Sequence, residues 1–235
     1  MTTDNYQIID NGDAAISVIF DEPICEELTC RIIQLAEQLS ITFEKQFDDV
    51  IFGYQSLTLC YNPTTISEED LKQTISSLLN QKLPPLVYTP KLIEIPVCYE
   101  QEFAPDLEAI SKHSCLSIDE VIEVHSKEEY LVHMLGFLPG FLYLDGLNTQ
   151  LACPRKTTPK TDIKAGSIGI AEGHTCIYPF NSPGGWNIIG RTPVQLFKPE
   201  SEHPFLAKPL DKNKFIAISK SEFLDYSATH KEVEA

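Results

Sequence analysis

Basic residues are scarce in this chain of 235. Eighteen lysines and arginines stand against 34 aspartates and glutamates, for a formal net charge of −16. A surface of that sign repels phosphate backbones, so nucleic acid is not an expected partner. No apolar run approaches the ~18 residues of a membrane-spanning helix, so no membrane span is expected. The opening MTTDNYQIID has neither a basic n-region nor an apolar h-region. A secretory signal is therefore not expected, and a cytoplasmic location is. The seven cysteines, at 25, 30, 60, 98, 115, 153 and 176, are scattered. None forms a C-x-x-C pair, which leaves a zinc ribbon or thioredoxin-type motif without support and favours reduced, buried thiols. H-E-x-x-H and His pairs at i, i+4 are missing too, so no metal centre is predicted. Without G-x-S-x-G or G-x-x-x-x-G-K-[ST], neither a hydrolase serine elbow nor a phosphate loop is expected.

What is present is strongly patterned. YQIIDNGDAAISVIF alternates around Asn11-Gly12, a hairpin signal. Ile24, Leu28, Ile32, Leu35 and Leu39 recur at three and four, which predicts a helix. DVIFGYQSLTLCYNP reads as two strands turning near Gly53-Tyr54. A second helix follows, capped by Ser67, with Glu68, Glu69 and Asp70 in its first turn and Leu71, Ile75, Leu78 and Leu79 on its apolar face. The predicted order is ββαββα over about 80 residues. Pro84, Pro85 and Pro90 mark a boundary. KLIEIPVCY reads as a strand, and two short helices are expected after it, the second with Ser117 and Glu120 at capping-box spacing. Beyond Tyr130 the pattern changes. Nine of the eleven glycines lie between Gly136 and Gly190, interleaved with prolines and short apolar runs. Short strands joined by Gly/Pro turns predict a barrel or sandwich. AGSIGIAEGHTCIYPF supplies two strands around Glu172-Gly173, NIIGRTPVQLF a pair around Gly190-Arg191, and KFIAIS the last.

Candidate chemistry collects in that second half. From Cys153 to Arg191, Arg155, Lys156, Lys160, Lys164 and Arg191 face only Asp162 and Glu172, an excess of 5 − 2 = 3 positive charges. Such an island suits either a small anion or a solvated loop. Arg155 and Lys160 flank prolines in CPRKTTPK, where a guanidinium can grip a carboxylate or phosphate through two hydrogen bonds. NSPGGW, with Gly184, Gly185 and the single tryptophan Trp186, can place turn amides and an indole edge together. GFLPGFLYLDGL sets Phe137, Phe141 and Tyr143 around Pro139-Gly140, as a structural corner or as the wall of a pocket. His125 ends a predicted helix and His133 lies in a predicted strand. A lone histidine is more often a satisfied structural group than an acid or base.

Several of these stretches occur in one order: VIEVHSKEEYLVHMLGFLPGFLYLDGL, CPRKTTPK, AGSIGI and IYPFNSPGGWNIIGRTPVQLF. Together they resemble the family that holds the B subunit of 5-oxoprolinase, the Kip-type sporulation kinase inhibitor and allophanate hydrolase subunit 1. The resemblance implies an α+β chain, with a small N-terminal ββαββα domain over 1–88 and a cyclophilin-like β-barrel domain over 89–235. It also implies a heteromeric, ATP-hydrolysing enzyme that opens 5-oxoproline to L-glutamate. The partners would be a protein of the Kip-antagonist type (the C component) and one of the lactam-utilization type (the A component). Inhibition of a sensor histidine kinase, or a place in an allophanate hydrolase or urea carboxylase, are the alternatives it leaves open. On this reading Arg155, Lys160 and His125 are the candidates for catalysis, and Tyr178, Gly184, Gly185, Trp186 and His174 for substrate binding. Three positions depart from the family pattern: His174 for a common glutamine, Lys164 for a proline, and Lys160 for the arginine of a second Pro-Arg.

Overall fold

The computed structural model describes residues 5–232. The chain divides into two compact units at Thr89/Pro90. In the first, β1 (Tyr6–Asp10) and β2 (Ala15–Phe20) form a hairpin, and α1 (Glu26–Thr42) follows. Then come β3 (Phe47–Phe52), β4 (Ser56–Tyr61) and α2 (Glu68–Leu79). The sheet order is β1-β2-β4-β3, antiparallel throughout. Alternation aims Leu57, Leu59 and Tyr61 of β4 inward. Leu28, Ile32, Leu35 and Leu39 of α1, with Leu71 and Ile75 of α2, complete the same core. Each such side chain contributes roughly 1.5–3 kcal/mol on burial, so this unit holds a core of its own. The Ser67 hydroxyl caps α2 by accepting the Asp70 N–H at 3.4 Å.

The second unit begins with β5 (Leu92–Cys98), α3 (Leu107–Ser114), α4 (Ile118–Lys127), β6 (Glu129–Leu135) and β7 (Leu142–Asp145). It continues through β8 (Lys160–Ile163), β9 (Ser167–Ala171), β10 (His174–Ile177), β11 (Ser182–Gly184) and β12 (Asn187–Arg191). It ends with β13 (Lys212–Ile218) and α5 (Lys220–Glu232). Seven strands close into a barrel in the order β10-β7-β6-β13-β5-β12-β9. β13 runs parallel to β5, and the other barrel pairs are antiparallel. The interior is apolar: Val97, Val132, Leu144, Ile170, Ile189 and Phe215 belong to one buried cluster. α3 packs on β12 and α4 on β13. The predicted capping box at the start of α4 is complete. Ser117 Oγ accepts the Glu120 N–H at 3.3 Å, and Glu120 Oε2 accepts the Ser117 N–H at 2.7 Å.

Two stretches differ from the sequence expectation. NIIGRTPVQLF holds one strand rather than two. After Arg191 the Thr192 N–H turns to Gly166 O, and Pro193 has no N–H to offer a ladder. SPG in the NSPGGW stretch is not a tight turn but the short strand β11, paired with β8 across a bulge.

Candidate functional site

Strand alternation gives the barrel a chemically distinct outer face. Leu142, Leu144, Ile168, Ile170 and Ile177 point inward and belong to the main core. Their neighbours Tyr143, Gly169 and Cys176 therefore point outward. There Phe141, Ile163, Cys176, Tyr178, Trp186 and Ile188 pack into a second buried cluster. Glycine makes this packing possible at two places. A Cβ on Gly169 would lie 2.8 Å from Trp186 Cβ, and one on Gly184 would lie 2.2 Å from the Tyr178 hydroxyl. Trp186 is 5% exposed. Phe141 meets Tyr178 edge-on at 4.9 Å, and Tyr143 lies 6.3 Å from Trp186.

The segment from Cys153 to Lys160 is laid along this cluster. Lys156 N–H donates to Gly185 O at 2.8 Å, and Asn187 Nδ2 donates to Pro154 O at 3.0 Å. Lys160 pairs with Gly184 in the β8–β11 ladder. Arg155 is thus bracketed by fixed neighbours on both sides. Its guanidinium stands 5.2 Å from the centre of the Trp186 ring, a cation–π contact. Its Nε is 3.8 Å from Glu172 Oε1, and more than half of its side chain remains in solvent. Trp186 therefore meets solvent through Arg155 rather than directly.

One buried acid organises two of the other cations. Asp106 lies just before α3 and its side chain is 8% exposed. Its Oδ1 accepts from Lys156 Nζ at 2.7 Å, and its Oδ2 from Lys160 Nζ at 2.6 Å and from the Ile188 N–H at 2.8 Å. Burial pushes its carboxyl up, but those hydrogen bonds outweigh the burial and hold it below the ordinary carboxylate value. Counting Asp106, the local positive excess falls from three to 5 − 3 = 2. Lys164 is paired with Asp162 as well. Arg191 donates its Nε to Ala165 O at 2.7 Å, so Arg155, with its looser contact to Glu172, is the cation over the aromatic cluster.

Two of this unit's cavities are large enough for a small molecule. One of about 380 Å³ is lined by Arg155, Lys156, Thr157, Thr158, His113 and Asn187, among others. A larger one of about 450 Å³ is lined by Tyr99, Leu107 and Ile122 with Glu100 and Glu108. It offers acids and no cation, so an anion has no reason to enter it. The smaller, cationic one is the better candidate despite its size.

The comparisons with known proteins agree with this architecture. The carboxyltransferase domain, subdomain C and D, matches residues 6–207. This chain belongs to that family. It is 38% identical over 234 residues to the B subunit of 5-oxoprolinase from Bacillus subtilis (strain 168), covering 95% of this chain and 98% of that protein. The crystal structure of TTHA0988 superposes with a TM-score of 0.76 at 33% identity, over 87% of this chain. This chain spans only 40% of that one. Half of this chain is also 36% identical, over 125 residues, to urea amidolyase of Saccharomyces cerevisiae, of which it covers 7%.

In this member of the carboxyltransferase subdomain C and D family, six of the expected site residues come together: Arg155, Lys160, Tyr178, Gly184, Gly185 and Trp186. His174 stands on the same outer face, two residues before Cys176 on β10, but turns to Asp145 rather than to Arg155. Its Nδ1 is 3.5 Å from Asp145 Oδ1, and His133 Nε2 is 3.4 Å from Asp145 Oδ2. These separations are long for hydrogen bonds, but the two imidazoles hold the Asp145 carboxyl well below the usual range. His125 is elsewhere, inside the barrel and 0% exposed. Thr175 Oγ1 donates to Gly169 O at 3.2 Å, so it accepts from His125 Nε2 at 3.3 Å. His125 Nδ1 then accepts the Tyr99 hydroxyl at 2.8 Å. Stacked on Phe215 at 4.7 Å and pushed down to about pKa 3 by burial, the ring is a neutral strut. Among the described residues no group of three or more His, Cys, Asp or Glu is arranged to hold a metal ion.

Sequence reasoning left Asp106 and Asn187 out of the site, and it gave Lys156 and Tyr143 no assigned part in it. Asp106 stands where an N-cap belongs, and an N-cap is how a sequence alone would read it. Its carboxylate makes no cap hydrogen bond. A separation of 50 and 54 residues hides its true partners.

Proposed function

We propose that this chain is the B subunit of an ATP-dependent enzyme that opens 5-oxoproline to L-glutamate. The likeness to the B. subtilis 5-oxoprolinase component, end to end in both proteins, carries the reading. The site geometry supports it. 5-Oxoproline is a small flat ring with one carboxylate. Arg155 offers a partly exposed fork for the carboxylate, held in place by the buried aromatic cluster beneath it, and the adjoining cavity along Thr157, Thr158 and Asn187 offers room for the ring. Lys156 and Lys160 add positive potential behind it, and the buried Tyr178 packs against Gly184 beneath the strand that leads to Trp186.

In the reaction, transfer of the ATP γ-phosphoryl group to the lactam oxygen makes the ring carbon electrophilic. Water adds there and the C–N bond breaks with nitrogen taking a proton, which leaves the side-chain acyl phosphate of glutamate; a second water hydrolyses that to glutamate and phosphate. The developing negative charge needs fixed donors, and Lys160 is assigned that part while Arg155 holds the substrate carboxylate. His125 is assigned to the barrel core and His174 to the periphery of the site. No phosphate loop occurs in the sequence, so the nucleotide is assigned to a partner. The partners in this reading are proteins of the Kip-antagonist (C component) and lactam-utilization (A component) types, acting in the cytoplasm.

The test is reconstitution. The purified chain is mixed with its Kip-antagonist and lactam-utilization partners, and glutamate formed from 5-oxoproline is measured with and without ATP. ATP-dependent release of glutamate is expected. An associated, soluble but inactive assembly overturns the proposal. A second reading, action on a urea-derived carboxylate, is favoured by the urea amidolyase likeness. Turnover of allophanate by the same assembly, with none of 5-oxoproline, selects it.

A further inference from the structure

We propose that Asp106 is a positioning residue for substrate capture: one buried carboxylate clamps Lys156, Lys160 and Ile188, and so holds Arg155 on the Trp186 indole. This rests on Arg155 being the group that takes the substrate carboxylate.

The clamp begins with an interrupted ladder. β12 pairs with β9 along its length, but with β5 only at Arg191 and Cys98. The Ile188 amide and carbonyl on the β5 side are taken over by Asp106. Its own N–H donates to Ile188 O at 2.9 Å, and its Oδ2 accepts the Ile188 N–H at 2.8 Å. One residue thus replaces a missing strand partner while its two oxygens hold two ammonium groups. Lys156 adjoins Arg155 in sequence, and Lys160 adjoins the β11 strand that leads to Trp186. Removing the charge at Asp106 frees both lysines and loosens the segment that carries Arg155.

Chain length matters as much as charge. A glutamate would carry its carboxylate about 1.5 Å further from the backbone. It cannot then close on Ile188 while its own N–H stays on Ile188 O. Nor is the clamp a simple cap for α3, since the carboxylate makes no hydrogen bond to the first turn. Two lysines against one aspartate leave one net positive charge behind Arg155, which adds to the attraction for an anion.

The experiment uses the assembled enzyme and the full chain. In the complex, Asp106→Asn is expected to raise KM for 5-oxoproline about tenfold, with kcat falling as well because Lys160 is freed. Asp106→Glu is expected to do no better than Asp106→Asn. Trp186 is the single tryptophan, so its fluorescence reports on Arg155 directly. Acrylamide quenching of Trp186 in the full chain alone is expected to rise at least about twofold in Asp106→Asn, as the covering guanidinium leaves. A folded Asp106→Asn chain with wild-type KM and wild-type quenching overturns the proposal. So does a loss confined to kcat. Should that variant fail to fold, Lys156→Gln, at a partly exposed site, decides. A KM raised about threefold that Lys156→Arg brings back supports the clamp, and an unchanged KM overturns it. If the wild-type assembly has no 5-oxoproline activity, the functional reading fails instead, and the quenching of Trp186 still judges the clamp.

Discussion

Arg155 and His125 show how different two candidate side chains become once their surroundings are known. Arg155 stands over an indole with more than half of its side chain in solvent, and lysine reproduces neither the cation–π contact of a planar guanidinium nor its paired hydrogen bonds. Arg155→Lys in the reconstituted enzyme is expected to lower kcat/KM by about tenfold or more, measured with 5-oxoproline as the varied substrate. A lysine variant equal to the wild type would remove Arg155 from the site. His125 makes a prediction about pH instead. Its folded pKa, about 3, lies below the ordinary 6.5, because burial disfavours the charged ring. The unfolded chain therefore binds the extra proton as pH drops below about 6.5. Stability from this group is complete above that pH and is lost as pH falls towards 3, at about 1.4 kcal/mol per pH unit. Denaturant melts between pH 7 and pH 4 are expected to fall more steeply for the wild type than for His125→Gln. Parallel curves would contradict a buried neutral ring. Nothing local in the sequence separated these two roles, because a histidine near a helix end reads the same facing in or out.

Secondary-structure elements were far more legible, and for a physical reason. The first unit is made of neighbours: each hairpin is closed by a short turn, and each helix shows its apolar stripe within a few residues. α4 in the second unit is the clearest case of a local signal, since Ser117 and Glu120 satisfy each other's backbone amides as their spacing implies. Ser117→Ala is expected to cost about 1 kcal/mol, read as a lowered melting temperature with activity retained at 25 °C. No change in melting would mean that water replaces the box without loss. Elements that depend on distant partners were not legible. The sequence of β11 reads as a turn because Pro-Gly-Gly signals one, and only β8 across from it makes it a strand. The second strand expected in NIIGRTPVQLF failed because Thr192 bonds to Gly166 rather than to a neighbour in sequence.

At the scale of the whole chain, the boundary expected near Pro84–Pro90 coincides with an irregular, largely exposed stretch. Residues 81–90 have no regular structure, and the Val87 side chain is fully exposed. Backbone of that kind is where proteases cut first. Brief trypsin treatment is expected to cleave at Lys82 or Lys91 before any site within the barrel, as judged by mass spectrometry of the first fragments. Early cleavage within β5–β7 would show the barrel to be the looser part. The clustering of Arg155, Lys160 and Trp186 was legible only as a shared order of motifs, because their meeting depends on Asp106.

The parallel strand in the barrel has a consequence for synthesis. β13 comes late in the chain, yet it lies between β5 and β6, which were made more than 70 residues earlier. As the ribosome delivers the chain, the first unit has every pairing partner in hand once Tyr61 has emerged. The barrel instead waits as an open sheet, with β5 and β6 both lacking a neighbour, until Ile218 is released. During that interval two apolar strand edges stand uncovered, which is when a nascent chain is most exposed to aggregation. A single late segment thus acts as the closing stave, and the time taken to translate the stretch before it sets how long the unfinished barrel must stay soluble.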